Sequence, residues 1–403
     1  MKIVDVTEFY SERGGVRGHL DLKGQILRQA GHHHVIVAPG PENRTHELAG
    51  ARESHCPPNA ETGSARVIRL AGPTLPYDSN YHLLWRVGRV RRIVEREKPD
   101  VLEINSPYLA PFVLRRPFRA TSRIQTFWWH ADFIESYARA FVDRYVRSGA
   151  AERVVRPLWS IVRRISESCD ATFAAGLHQA NNLTAHGVPR VRHLPFGVDK
   201  SVFTSDARSA AWRAEILKGV EKVPIVVAMG RLAIEKHWPV VLEGFLRASE
   251  RRRFVLLVFG DGPERQSLMA MVRGRSDVRF MGFEPDPRRL ATALASSDVF
   301  VHGCPTETFG LGVAQAMASG LPLVVPDRGG AAELAHPSFS EFFRSGDGED
   351  CGGAMARIFA RDPQRLRRES IAHGDRVPGA KDQVEKTVEA YGELIAARRA
   401  GCN

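Results

Sequence analysis

At 403 residues with 43% hydrophobic content, the chain is too long for one hydrophobic core and predicts two domains. Its five cysteines, Cys56, Cys169, Cys304, Cys351 and Cys402, are odd in number and scattered, which argues against a disulfide framework or a zinc site and suits a reducing cytoplasm. A formal net charge of +11 requires an anionic partner; a membrane face or an anionic glycolipid fits, and nucleic acid is set aside because no recognised module accompanies the charge.

The chain opens at Met1-Lys2-Ile3 directly on a strand, without the start of an export signal, and no apolar run approaches the ~20 residues of a bilayer span. Strand signals at residues 3–6, 35–38, 67–70, 101–104, 124–127, 171–174 and 191–193 define a first unit over residues 1–197. Residues 40–66, rich in polar residues, Gly and Pro, read as a long loop. The run His32-His33-His34 sits where a helix gives way to a strand, so no single face carries it and it supports no metal site. Two basic stretches, residues 86–98 and 139–164, interleave arginines with apolar residues at helical spacing. Such a surface fits either against the sheet or on anionic headgroups at the inner membrane face. Residues 198–206 read as a hinge. A second unit over residues 207–375 carries strands at 225–229, 254–259, 278–281, 299–302 and 321–325. Residues 376–403 form a return segment with a helix at 384–399. The alternation of strand and helix predicts the α/β class, with parallel sheets, right-handed crossovers and ligands at the carboxyl edges of the strands.

Two strand ends carry the chemistry. After the strand at 299–302, a loop containing Glu307 leads through Phe309-Gly310-Leu311-Gly312 into a helix stopped by Ser319-Gly320. Gly310 and Gly312 let a ligand approach the main chain, and the first helical amides with the dipole favour a phosphate. The strand at 225–229 ends in Gly230-Arg231-Leu232-Ala233-Ile234-Glu235-Lys236, whose two cations suit one diphosphate: Arg231 as a planar fork, Lys236 as a mobile charge. Asp347-Gly348-Glu349-Asp350 reads as a solvated loop. No Asp-x-Asp at a strand end is available for a divalent ion.

The order Gly230-Arg231-Leu232-x3-Lys236, Phe259-Gly260-Asp261-Gly262-Pro263-Glu264, Glu307-Thr308-Phe309-Gly310-Leu311 and Ala318-Ser319-Gly320-Leu321-Pro322 resembles the retaining glycosyltransferases of family 4 with the GT-B fold. Gly14-Gly15-Val16-Arg17-Gly18-His19, Trp129-His130-Ala131-Asp132 and Pro195-Phe196-Gly197-Val198-Asp199 match in position, so the resemblance covers nearly the whole chain. It implies two Rossmann-like parallel-sheet domains facing a cleft, with a C-terminal helix crossing back to the first. It also implies hexose transfer from a nucleoside-diphosphate sugar to a glycan or lipid-linked acceptor, with no cofactor and no divalent metal. The implied catalytic residues are His130, Arg231, Lys236 and Glu307, with Glu307 accepting hydrogen bonds from donor sugar hydroxyls. Gly14, Gly15, Gly230, Gly260, Gly262, Phe309, Gly310, Leu311, Gly312 and residue 315 fall on the donor side, Gly260 and Gly262 freeing backbone to read a nucleobase. His19 and Asp132 fall on the acceptor side. One departure stands out: the family pattern Glu-x7-Glu ends here on Gln315. A Gln still donates to and accepts from a ribose diol but loses the charge-assisted part of those bonds. This leaves a catalytically weak or inactive nucleotide-sugar-binding protein as the alternative. A Rossmann oxidoreductase fits less well, because Gly14-Gly15-Val16-Arg17-Gly18 lacks the G-x-G-x-x-G spacing and comes late after the first strand.

Overall fold

The computed structural model describes residues 1–11, 14–48, 63–75, 78–114, 122–139, 151–218 and 223–401. They fall into two compact units, Met1–Pro195 with Ala380–Asn403, and Phe196–Gly379. Cys56 and Cys402, with residues 49–62 of the expected long loop and 140–150 of the second basic stretch, lie outside the described residues.

The first unit is built on eight strands: β1 Lys2–Val6, β2 His33–Gly40, β3 Arg44–Glu47, β4 Ser64–Ala71, β5 Val101–Ile104, β6 Ile124–Trp129, β7 Ala171–Ala174 and β8 Val191–His193. Their order across the sheet is β3-β4-β2-β1-β5-β6-β7-β8. All pairs are parallel except β3 with β4. The central strands are short, and every residue of β5, β6 and β7 is buried, as a parallel sheet covered on both faces demands. β3 corrects the loop reading: Arg44, Thr45 and Glu47 are exposed, and the strand exists because it hydrogen-bonds to the edge.

The helix Gly15–Gln29 turns Leu20, Lys23, Gly24 and Leu27 inward. Lys23 enters the core because two strand carboxylates receive it: its Nζ lies 3.0 Å from Asp5 and 2.6 Å from Glu103. Glu103 also accepts from Trp128 Nε1 at 2.7 Å and from the Tyr391 hydroxyl. Tyr391 belongs to the helix Ala380–Ala400, so the C-terminal helix returns to the first unit. The histidine run divides three ways. His32 meets the N-terminal amine at 3.0 Å, His33 meets Ser64 at 3.0 Å, and buried His34 meets Asp5 at 2.6 Å. In the second basic stretch, the helix Ala151–Glu167 places Val155, Trp159 and Val162 in the core of the unit.

The second unit has six strands: β9 Ile225–Met229, β10 Val255–Phe259, β11 Val278–Gly282, β12 Val299–Val301, β13 Leu323–Pro326 and β14 Ser340–Phe343. They are parallel and run β11-β10-β9-β12-β13-β14. One reading changes here. Asp347 is no solvated loop residue: its side chain accepts from Asp350 N and starts the helix Gly348–Phe359. The segment read as a hinge is folded into this unit, Val198 N donating to Pro378 O at 3.0 Å and Lys200 Nζ to Asp375 O at 2.9 Å.

Candidate functional site

β12 ends at Val301, and the chain turns through His302 to Gly310 into the helix Leu311–Ala318. Gly310, the N-cap, holds φ at +90°, a left-handed conformation that favours glycine. No side chain caps this helix and its first turn holds no acid, so the amides of Leu311, Gly312 and Val313 have no intrahelical acceptor. Together with the helix dipole they form an anion seat. Leu311, Gly312 and Gln315 share the half-buried face of the helix, while Val313, Ala314, Ala316 and Met317 are buried.

Neighbouring backbone holds this loop. Gly330 N donates to Glu307 O at 2.7 Å. A Cβ on Gly303 would stand 2.9 Å from His237 O and 3.0 Å from Lys236 O, so glycine there lets the loop after β9 press against the loop after β12. The result is an ion pair between residues 71 apart: Lys236 Nζ lies 2.6 Å from Glu307 Oε2. His302 Nε2 stands 3.2 Å from the same oxygen. Burial raises the pKa of Glu307, but Lys236 and His302 outweigh it and hold the carboxyl well below its ordinary value. Burial likewise opposes the Lys236 ammonium, and Glu307 outweighs it and keeps the charge.

Arg231 stands on another carboxylate, 2.6 Å from Glu235 Oε1, so both cations are anchored within the unit. Its carbonyl accepts from Trp238 Nε1 at 2.8 Å. The glycines beside it answer to backbone packing first. A Cβ on Gly260 would lie 1.9 Å from Gly230 O, and one on Gly262 would lie 2.4 Å from Leu232 O. Gly312 gives room to Met229, whose Cε would be 3.0 Å from an added Cβ. Phe309, expected to face a ligand, is 5% exposed and packs edge-on against Phe196 at 5.7 Å.

In the first unit, His130 follows β6 with Nε2 2.6 Å from Asn105 Oδ1, its ring stacked on Trp128 at 5.7 Å and tilted against His19 at 6.1 Å. Burial, with the Lys23 charge behind it, lowers the His130 pKa to about 3, so the ring is neutral. Burial and then His130 hold His19 well below its ordinary value. Asp132, expected to orient an acceptor, is instead buried, and its Oδ1 accepts from Glu135 N at 3.1 Å beside the π-helical turn Ile134–Arg139. Burial raises its pKa to about 6. Gly14 is the N-cap of the helix Gly15–Gln29, which no side chain caps, and Gly15 is exposed.

His302 and Cys304 escaped sequence reasoning, although both flank the Glu307 motif. Ligand atoms of His302, Cys304 and Glu307 lie within 4.8 Å of one another, the spacing of a metal cluster among the described residues. Two features oppose an ion there. Burial pushes the Cys304 thiol up to about 11, and Lys236 already holds Glu307.

Residues 223–360 match the family described as Glycosyl transferases group 1, and residues 13–202 match Glycosyltransferase Family 4. The chain belongs to this family of nucleotide-sugar-dependent glycosyltransferases. It is 30% identical over 361 residues to a GDP-mannose-dependent alpha-mannosyltransferase of Mycolicibacterium smegmatis, covering 87% of this chain and 86% of that protein. It is 29% identical over 336 residues to a sulfoquinovosyl transferase of Arabidopsis thaliana, covering 81% of this chain but 60% of the length of that relative. A sucrose-phosphate synthase structure from Thermosynechococcus elongatus superposes with a TM-score of 0.78 at 19% identity, over 98% of this chain and all of that one, which establishes the shared fold.

Proposed function

We propose that the protein is a retaining, metal-independent glycosyltransferase that moves a hexose from a nucleoside-diphosphate sugar to a glycan or lipid-linked acceptor. The observation that carries this reading is the uncapped start of the helix Leu311–Ala318 beside an ammonium that Glu307 holds in place. Donor phosphate oxygens take the free amides of Leu311, Gly312 and Val313, with Lys236 and Arg231 supplying cations. As the bond from the sugar C1 to the phosphate oxygen breaks, negative charge grows on the leaving group. Prearranged amides and cations stabilise that charge without reorganising. The acceptor hydroxyl attacks C1 from the same face and gives its proton to the departing phosphate, so configuration is retained and no enzyme carboxylate need bond to the sugar. Lys236 exchanges Glu307 for phosphate, which turns Glu307 towards the sugar hydroxyls. Gln315 takes the ribose diol.

The test uses the purified full chain and a panel of nucleoside-diphosphate sugars, following nucleoside diphosphate release and the anomeric configuration of the product by NMR. Transfer with retention in the presence of EDTA is the expected result. Tight nucleoside diphosphate binding without turnover of any donor would overturn the proposal.

A further inference from the structure

Within the second unit, the loop after β12 gathers three metal-binding chemistries, and two of them, on His302 and Cys304, have no part in the transfer proposed above. His302 is 8% exposed and Cys304 2%. Their ligand atoms and those of Glu307 all lie within 4.8 Å of one another. His302 is fixed at the strand end: its amide donates to Val324 O at 2.9 Å, and its ring stacks on Phe300 at 6.4 Å. Its Nε2 stands 3.2 Å from Glu307 Oε2, yet off the line of a hydrogen bond, so among the described residues this buried nitrogen has no hydrogen-bond partner. A buried imidazole nitrogen left in that state is costly, and an ion would satisfy it. Cys304 Sγ lies 3.6 Å from the Thr306 hydroxyl, which can donate to a thiolate and steady it.

The donor set selects the ion. One imidazole, one thiol and one carboxylate suit a thiophilic ion of the zinc type, which accepts N, S and O ligands in a tetrahedron. Bonds of about 2.0–2.3 Å hold the ligand atoms of such a tetrahedron about 3.3–3.6 Å apart. The 3.2 Å between His302 and Glu307 already fits, and the thiol needs only a small rotation. Mg²⁺ would demand oxygen ligands and keep several waters. The neighbouring cavity, bordered by Lys236, His302 and Gly303, holds about 10 Å³, on the order of one water, which is too small for a hydrated ion.

Two groups stand in the way, and both can move. The Cys304 thiol gives up its proton to solvent as its sulfur coordinates. Lys236 holds the same Glu307 oxygen at 2.6 Å, so ion and ammonium compete for one carboxylate. Like charges repel, and an ion on Glu307 drives the ammonium off it.

We propose that His302, Cys304 and Glu307 form an inhibitory site for a thiophilic divalent ion, which takes Glu307 from Lys236 and so stops transfer. The loss of transfer rests on the transferase reading; the ion binding does not. An ion on Glu307 leaves Lys236 without its anchor and ties up the carboxylate that would meet the sugar hydroxyls.

Titration of the full chain with Co²⁺ and then Zn²⁺ tests the proposal. Co²⁺ gives a thiolate-to-metal charge-transfer band and the visible bands of a tetrahedral ion, and Zn²⁺ abolishes both by replacing it. Zn²⁺ also suppresses nucleoside diphosphate release from a nucleotide sugar, and EDTA restores it. Cys304→Ser loses the thiolate band and binds Zn²⁺ at least roughly 10–100-fold more weakly, the loss that even an outer-shell partner commands. Every other cysteine and histidine is shared with the wild type, so the difference reports this site. Circular dichroism checks that the variant is folded. Lys236→Ala, which removes the competing cation, binds Zn²⁺ roughly tenfold or more tightly. Equal Zn²⁺ affinity in the wild type and Cys304→Ser overturns the site. Zn²⁺ bound through Cys304 with transfer unimpaired overturns the inhibition while sparing the transferase reading. Ion binding as expected, without turnover of any donor in EDTA, would overturn the transferase reading instead.

Discussion

Lys23→Met removes the cation from a fully enclosed cluster while keeping its apolar stem. In the native protein Lys23 is 2% exposed, Asp5 0% and Glu103 1%, and the ammonium touches both carboxylates. Breaking a buried pair by deleting one partner costs about 3–5 kcal/mol, because the remaining charges stay buried without compensation. For a unit of this size, at roughly 2–4 °C per kcal/mol, melting falls by roughly 6–20 °C. The penalty depends on pH in a fixed direction. Burial would raise the Asp5 pKa, but Lys23 and His34 outweigh it and hold the carboxyl far below its ordinary value; its contribution is present above that ordinary value and is lost as pH falls. Burial dominates at Glu103 and raises it from 4.5 to about 7, so the folded state binds that proton more tightly and stability declines as pH rises between those values. Without Lys23 both acids hold protons more strongly in the fold. The loss is therefore greatest above pH 7 and shrinks towards pH 5. Melting of both proteins by circular dichroism across that range is the assay. Equal melting at pH 7.5, or a penalty that grows on acidification, would refute the reasoning.

Gly303→Ala places a methyl 2.9 Å from His237 O and Val241 Cγ2. It should cost about 1–3 kcal/mol and weaken nucleoside diphosphate binding by shifting Lys236, and unchanged melting and affinity would contradict the packing argument. Gln315→Glu restores a charged acceptor on the half-buried face of the helix Leu311–Ala318, so donor affinity should rise or move between nucleotides in calorimetry. No change would remove residue 315 from the donor site. Turnover should survive EDTA; activity lost to the chelator and restored by a divalent ion would implicate a metal, with His302, Cys304 and Glu307 the residues to mutate.

The two sheets were legible because parallel strands with both faces covered are short apolar runs, as in Ile225-Val226-Val227-Ala228 and Ile3-Val4. What depends on tertiary partners was not. Arg44–Glu47 has no apolar period and becomes a strand through its neighbour. The helix Gly348–Phe359 was hidden by Gly352-Gly353, whose low propensity masks a packing need: a Cβ on Gly352 would meet Arg247 Cβ at 2.8 Å on the facing helix Trp238–Ser249. Lys236 and Glu307 stood out by motif spacing. Their ion pair did not, since it depends on two loops meeting at Gly303. Glycine carries a second demand that spacing does not show: Gly260, Gly262 and Gly312, read as ligand approaches, also accommodate Gly230, Leu232 and Met229. Lys23, Asp5 and Glu103 gave no signal, because a charged residue within a helix or strand usually reads as a solvated one.

Steady-state kinetics of Lys236→Ala with a saturating nucleotide-sugar donor tests most directly whether an ammonium beside a helix start drives departure of the nucleoside diphosphate. A fall in turnover of roughly 10²–10³, with the circular dichroism spectrum preserved, is the result expected when one preorganised partner of the developing charge is removed. Wild-type turnover in that variant would contradict the account.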